Sequence, residues 1–415
     1  RMRVQLMKKL RATGNGPRAA GTRRGAWGAP FWLSALSSML AALSSVLLAP
    51  AASAGVLPED RADLLYHRYD GGGVVIDGPS LLVRKKFADK VSVAANYYVD
   101  MVSSASIDVV STASPYKEER TQYSLAADYL RGKSTYSAGY INSSESDYDA
   151  KTWYAGVSQD MFGDLTTISF SFKRGSNDIF RNIGGGKDPT FKRASDTRSY
   201  AVGVTQVLTR SLIGVANFEV VSDEGYLNSP YRSVRYFDPG SPNGYSYQGE
   251  AYPNTRTSNA ASLKLSYYLP WRAAVSGWYR FYTDSWGVNA QTGEITYVQP
   301  MWDRWTFTGS VRYYTQDAAD FYADLFPRRD YANFLARDKE LSTFTALTFG
   351  LGASYDFRIA RLPWVDKAQA NVRYNFMTIS YDDFRNVTAP TAVPGTEPLY
   401  KLDASIYQVF VSIWF

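Results

Sequence analysis

Within the segment from Lys401 to Phe415, every second residue is apolar over the last nine positions. Steps of two back from the end give Phe415, Ile413, Val411, Val409 and Tyr407, an unbroken apolar stripe. The intervening positions hold Ser412, Gln408 and the small Ala404, interrupted by Trp414, Phe410 and Ile406. Successive side chains of a β-strand point to opposite faces, so this segment has one wholly apolar face and one mixed face. Ten or so residues of that kind suit a strand whose outer face meets lipid in a closed barrel. They also suit the edge strand of a soluble sandwich, and the rest of the chain has to choose between the two.

The pattern recurs upstream. Val91, Val93, Ala95, Tyr97 and Val99 oppose Ser92, Ala94, Asn96, Tyr98 and Asp100, and Leu347, Phe349 and Leu351 oppose Thr348, Gly350 and Gly352. Sixteen strands are predicted, near 63–70, 73–86, 90–102, 121–130, 134–144, 150–161, 165–173, 197–208, 211–222, 257–269, 272–285, 293–301, 304–317, 341–357, 367–381 and 401–415. Pro79, which cannot donate to a ladder, must sit at a bulge or an edge-like position. The connections add an independent signal, for they alternate between tight and long. Phe87-Ala88-Asp89, Arg131-Gly132-Lys133, Phe162-Gly163-Asp164, Thr209-Arg210 and Pro270-Trp271 are tight turns, separated by stretches near 103–120, 174–196, 223–256, 318–340 and 382–400. Short turns on one rim and long loops on the other are the rhythm of an outer-membrane barrel. Phe87, Phe162, Trp271, Trp302, Trp305 and Trp364 lie at or beside the tight turns, where amphipathic rings meet the headgroup layer. The predicted fold is therefore all-β: a transmembrane antiparallel barrel of about 16 strands with short periplasmic turns and long extracellular loops.

The formal charge of +6 suggests nucleic acid until its origin is located. Residues 1–54 contain eight Lys and Arg and no acid, which leaves 37 basic against 39 acidic residues beyond them. No basic body remains to neutralise phosphates, so no nucleic-acid partner is expected. The basic start, the apolar run from Phe31 to Leu48 and Ala52-Ser53-Ala54 read as a secretory signal cleaved after Ala54. A periplasmic segment of 55–62 and a single barrel domain of 63–415 follow. So short a segment leaves no room for the plug domain of a TonB-type transporter. Past residue 54 no apolar run approaches the ~20 residues of a membrane helix. The barrel is expected in the outer membrane of a Gram-negative bacterium, with outer-membrane lipid and the barrel-assembly machinery as its partners. Tyr407, Val409, Val411, Ile413 and Phe415 resemble the terminal assembly signal of such proteins.

Five stretches carry a family resemblance: Tyr66-His67-Arg68-Tyr69, Tyr98 to Ser106, Tyr279 to Gly287, Arg312 to Tyr322 and Glu340 to Phe344. In this order they resemble the DUF3570 family of bacterial proteins, with Ser104-Ala105-Ser106 standing where the family tends to have Gly-Ala-Ser. The resemblance implies an outer-membrane barrel of unassigned function, and as partners a small lipoprotein or a thioredoxin-like protein. It implies no catalytic residue.

The residues themselves offer little chemistry. Cysteine is absent and His67 is the only histidine, which removes disulfides, thiolate metal sites and most triads. His67, in the first strand, is read as a wall residue. Asn182 to Asp188 is glycine-rich but lacks the spacing of a phosphate loop, and it reads as a flexible outer loop. Asp317, Asp320, Asp324 and Asp330 match no calcium loop and read as solvated loop acids. No catalytic residue, metal or cofactor is therefore assigned. A charge facing lipid at midplane costs a few kcal/mol, so Asp100, Asp128, Lys173, Glu219, Lys264, Arg280, Asp284, Arg312 and Arg373 are expected to line the lumen. Their signs are mixed, and no strong ion selectivity is read from them. Two functions fit: a channel or porin-like conduit for small solutes, or a scaffold docking a lipoprotein or redox partner. The longest loop, near 223–256, is rich in Tyr and Pro. It is expected to fold over or into the mouth and to meet Glu219, Lys264 and Arg280.

Overall fold

A computed structural model describes residues 55–103, 117–183, 186–359, 361–389, 391 and 393–415. The expected signal segment and Ser104-Ala105-Ser106 lie outside the described residues. The first half of the chain forms β1 (Arg61–Gly71), β2 (Val74–Phe87), β3 (Val91–Ser103), β4 (Lys117–Arg131), β5 (Ser134–Ser144), β6 (Tyr148–Met161), β7 (Thr166–Ile183), β8 (Gly186–Val207) and β9 (Leu212–Gly225). After the small hairpin β10 (Ser233–Phe237) and β11 (Tyr245–Gly249) come β12 (Thr255–Tyr268), β13 (Ala274–Asp284), β14 (Asn289–Met301), β15 (Trp305–Gln316), β16 (Phe344–Phe357), β17 (Lys367–Arg385) and β18 (Leu399–Trp414). Each barrel strand pairs antiparallel with its neighbours, and β18 pairs with β1 to close a ring of 16 strands, β10 and β11 standing apart. Every expected strand has one counterpart. With strands ~4.8 Å apart and tilted ~40°, a ring of this count is about 30 Å across.

The alternation now has a direction. Leu64, Trp153, Ile295 and Leu351 are 58–68% exposed on the outside, while inward Asn375 and His67 are only 1% and 2% exposed. A continuous outer band of Tyr, Trp, Leu, Val and Phe is far larger than the apolar patches water tolerates, and hydrocarbon is the solvent that accepts it. No helix among the described residues is long and apolar enough to cross a membrane; the strands do so. The chain has the fold of an outer-membrane barrel.

The rims differ for local reasons. Ala88 with Asp89, and Trp302 with Asp303, are consecutive left-handed residues, the geometry of a two-residue turn whose twist matches its strands. Phe162, Trp271, Trp302 and Trp364 stand exposed beside these turns. At Pro79 the pairing of β2 with β3 lapses between Asp77 and Ser80. A Cβ on Gly78 there would lie 1.9 Å from the Val99 carbonyl oxygen, so only glycine lets the backbones touch.

Two expected loops are corrected. The stretch 174–196 is not a loop: β7 and β8 run 18 and 22 residues and pair out to Ile183 and Gly186. The glycine-rich segment is the tip of this ribbon, with residues 184–185 outside the described ones. The stretch 174–196 carries many charged residues. In the ribbon those charges lie on rings, Lys187 and Lys192 over Phe180 and Arg181 and Arg193 over Phe191, and Arg181 binds Asp188. The stretch 223–256 contains β10–β11 where only loop was expected.

Candidate functional site

The lumen is the concave surface that the fold creates. Asp100, Asp128, Lys173, Glu219, Lys264, Arg280, Asp284, Arg312 and Arg373 all alternate with outward residues of their strands and occupy the inner face. Their neighbours sort them into groups. Asp284 binds Arg256 (2.5 Å), Arg312 binds Glu294 through Nε (2.7 Å) and Nη2 (2.6 Å), and Lys173 stands 3.9 Å from Glu219. Asp128, near the short-turn rim, accepts a 2.6 Å bond from the Ser137 hydroxyl. Lys264, Arg280 and Arg373 have no ion-pair partner among the described residues.

His67 is held in a compact knot on the β1–β4 wall. Its Nε2 lies 2.7 Å from Asp100 Oδ1, which also accepts from the Tyr98 hydroxyl at 2.7 Å, and Arg120 reaches Asp100 Oδ2 at 2.6 Å. The His67 and Tyr98 rings stack 4° from parallel at 5.1 Å, and the Arg120 guanidinium stands 5.5 Å from the Tyr98 ring centre. One carboxylate thus satisfies three donors or rings from three strands, and no local pattern marks Arg120 as one of them. Nearby inward groups such as Asp63, Asn96, Asn371 and Ser412 are buried as well, so this side of the lumen is packed. Lys264, Trp278 and Arg280 on the far side are only half-buried.

Above the lumen three loops interlock. Arg235 of β10 is 0% exposed. It donates to Glu397 from Nη1 (2.5 Å) and Nη2 (3.0 Å), to the Asp324 backbone oxygen from Nε (2.9 Å), and to the Asp324 carboxylate. Arg337 takes the other Asp324 oxygen (2.9 Å) and the Arg385 carbonyl (3.0 Å), and Arg232 faces the buried Asp338. Backbone bridges join Tyr236 to Phe326 and Ala251 to Leu335. Tyr252, Trp286 and Phe321 form an aromatic centre beneath, with ring centroids 5.2–5.5 Å apart.

The same loop also reaches the far side of the mouth. The Tyr231 hydroxyl donates to Asp147 Oδ2 (2.5 Å) and accepts from the Asn182 backbone N–H (2.7 Å). Asp147 lies between β5 and β6, and Glu397 between β17 and β18, six strands away by the shorter path around the ring. That separation is nearly a full diameter, whereas the four residue steps from Tyr231 to Arg235 span at most ~14 Å of backbone. The segment therefore crosses the opening. Burial pushes the Asp147 carboxyl up to about 6 against the Tyr231 bond, and burial also raises neighbouring Glu145 well above the carboxylate range.

Residues 187–384 match DUF3570, described as a protein of unknown function. The stretch runs from β8 into β17 and takes in the cap loops through Phe384. Of the motifs that carried the resemblance, the blocks at Tyr279, Arg312 and Glu340 fall within it. No curated protein matches the chain. Among solved structures it is similar to a bacterial polysaccharide outer membrane secretin (8% identity, TM-score 0.47, 86% of this chain and 100% of that one). It is also similar to CdiB from Acinetobacter baumannii (9%, 0.46, 86% and 60%) and to a Pseudomonas aeruginosa FadL homologue (11%, 0.39, 88% and 94%).

The cap departs from two sequence expectations. Asp324 is not a solvated acid but the shared partner of two arginines. The bonds of the long loop run to other loops, among them those to Asp147, Asn182, Asp324, Asp338 and Glu397, while Glu219 is taken by Ser199 (2.9 Å) and Lys173. Loops interlock here because backbone over a mouth must satisfy its polar groups, and other loops offer partners at the right height. Arg232, Arg235, Arg337 and Glu397 carry no local pattern that marks them.

Proposed function

We propose that the barrel is a conduit for small solutes whose outer mouth is closed by a releasable cap. The observation that carries this reading is Arg235, fully buried over the opening and shared between two loops by two carboxylates. An apolar lid would close a mouth without charges. Buried ion pairs are costly to desolvate and lose their benefit when one partner leaves, so such a lid opens cooperatively. The half-buried charges of the β12–β15 wall suit a hydrated path beneath it.

Deleting residues 232–250 removes Arg235 and both cap strands while leaving β9 and β12. The deletion is expected to raise single-channel conductance in planar bilayers and uptake of hydrophilic antibiotics. Unchanged conductance and uptake, together with loss of a co-purifying small lipoprotein or thioredoxin-like protein, would replace the conduit with the scaffold.

A further inference from the structure

We propose that the conduit selects small anions bearing a carboxylate or phosphate, through a basic arc on one wall of the lumen. The inference rests on the conduit reading and adds its substrate class. In sequence the inward charges looked balanced. Pairing shows that they are not.

The acids of the middle lumen are spent. Asp100 is held by Arg120 and the His67 ring, Glu219 by Lys173 and Ser199, and Glu294 by two nitrogens of Arg312. Across β12 to β17 this leaves Lys264, Arg280 and Arg373 on the inner face, half-buried and with no ion-pair partner among the described residues. The other inward charges of these strands fall in pairs, Arg312 with Glu294, Arg256 with Asp284 and Lys367 with Asp356, so these three cations are the excess. The register sets them side by side. Lys264 is level with Trp278, Glu294 and Arg312 on the next three strands, and Arg280 lies one inward step farther along β13. Arg373 sits on β17, across β16 from the Thr308 position of β15. Arg280 stands 5.4 Å from the Tyr282 ring centre and Arg312 5.5 Å from that of Trp278. Those rings hold the guanidinium planes without neutralising them.

Lys264 and Arg280 lie on the half-buried β12–β13 wall, and Arg373 stands at the edge of the packed side. The β1–β4 and β17–β18 walls are packed, with inward Asn96, Asn375 and Ser412 at 6% exposure or less. A solute is steered toward the half-open wall, which carries the uncompensated charge. Guanidinium forks match the two oxygens of a carboxylate or phosphate, and one-sign clefts concentrate the opposite ion. Asp128, which has a serine hydroxyl as its bonded partner, lies at the short-turn end, away from the arc.

Reversal potentials across a tenfold KCl gradient test this in the full-length protein and in the 232–250 deletion. Both are expected to pass chloride over potassium by about fivefold at ~0.1 M salt, falling toward ~2-fold at 1 M as screening shortens the field. The triple variant Lys264→Gln, Arg280→Gln, Arg373→Gln should bring the ratio near one while conductance persists. Arg373→Gln alone, a milder change, should lower it in part. Millimolar inorganic phosphate should block chloride current in the wild type and not in the triple variant. A conducting protein that prefers potassium, or whose ratio is unmoved by Arg373→Gln and by the triple change, overturns the anion arc and leaves the conduit standing. Absence of any conductance from both proteins overturns the conduit itself.

Discussion

Replacing Arg235 with alanine isolates the central bond of the cap. The change removes both bonds to Glu397 and two to Asp324 from a guanidinium with no exposed surface. Asp324 keeps Arg337 (2.9 Å), but Glu397 keeps backbone N–H donors such as that of Gly395 (2.9 Å) and no arginine. Breaking a buried pair from one side costs about 3–5 kcal/mol because the other charge is stranded. With Arg337 still in place, the lower end, about 3 kcal/mol, is the working figure, and at ~1.4 kcal/mol per decade it shifts the closed-to-open ratio about 100-fold. Hydrogen exchange over 233–249 and 317–343 should accelerate by that factor, and the open fraction in bilayers should rise with it. Arg235→Ala combined with Glu397→Gln removes the stranded charge as well and should recover part of the loss, giving a coupling above ~1 kcal/mol. Exchange and open fraction within twofold of wild type in the single variant would refute the cap as an ion-pair lock.

Three further outcomes are expected. Asp147, whose carboxyl is pushed up to about 6 from 3.8, binds more protons in the closed cap than in the open chain. Its contribution is full below pH 3.8 and is lost as pH rises through about 6, amounting to about 3 kcal/mol; cap exchange should slow on acidification from pH 7 to 5, and Asp147→Asn should weaken the trend, with buried Glu145 carrying the rest. The Phe415 ring lies 4.9 Å from the Lys85 amine and edge-on to Trp364 at 6.1 Å, beside the strand that closes the ring. Phe415→Asp should leave little heat-modifiable, membrane-inserted protein, and normal levels would place the assembly signal elsewhere. A Cβ at Gly139 would sit 2.3 Å from Tyr154 Cζ, so Gly139→Val should cost about 1–3 kcal/mol by overpacking; an unchanged denaturant midpoint in micelles contradicts it.

What the sequence alone determined about this protein is what neighbours two apart can encode. The stripe of Tyr407, Val409, Val411 and Ile413 names the outward face of β18, and the same alternation places Lys264, Arg280 and Arg373 inward, because a strand's period does not depend on its partners. Tight turns such as Ala88-Asp89 and Trp302-Asp303 mark one rim by local backbone geometry. The count of 16 barrel strands follows from these signals. The ribbon of β7 and β8 escaped them, since its charged residues find aromatic rings only once the two strands face each other. Only the tertiary structure decided which charges cancel and what closes the mouth. Arg235 and Glu397 are 162 residues apart, and Glu294 takes Arg312 rather than Lys264 because β14 pairs directly with β15. Such partners are chosen by closure of the ring and by loop height above it, which no periodicity along the chain records.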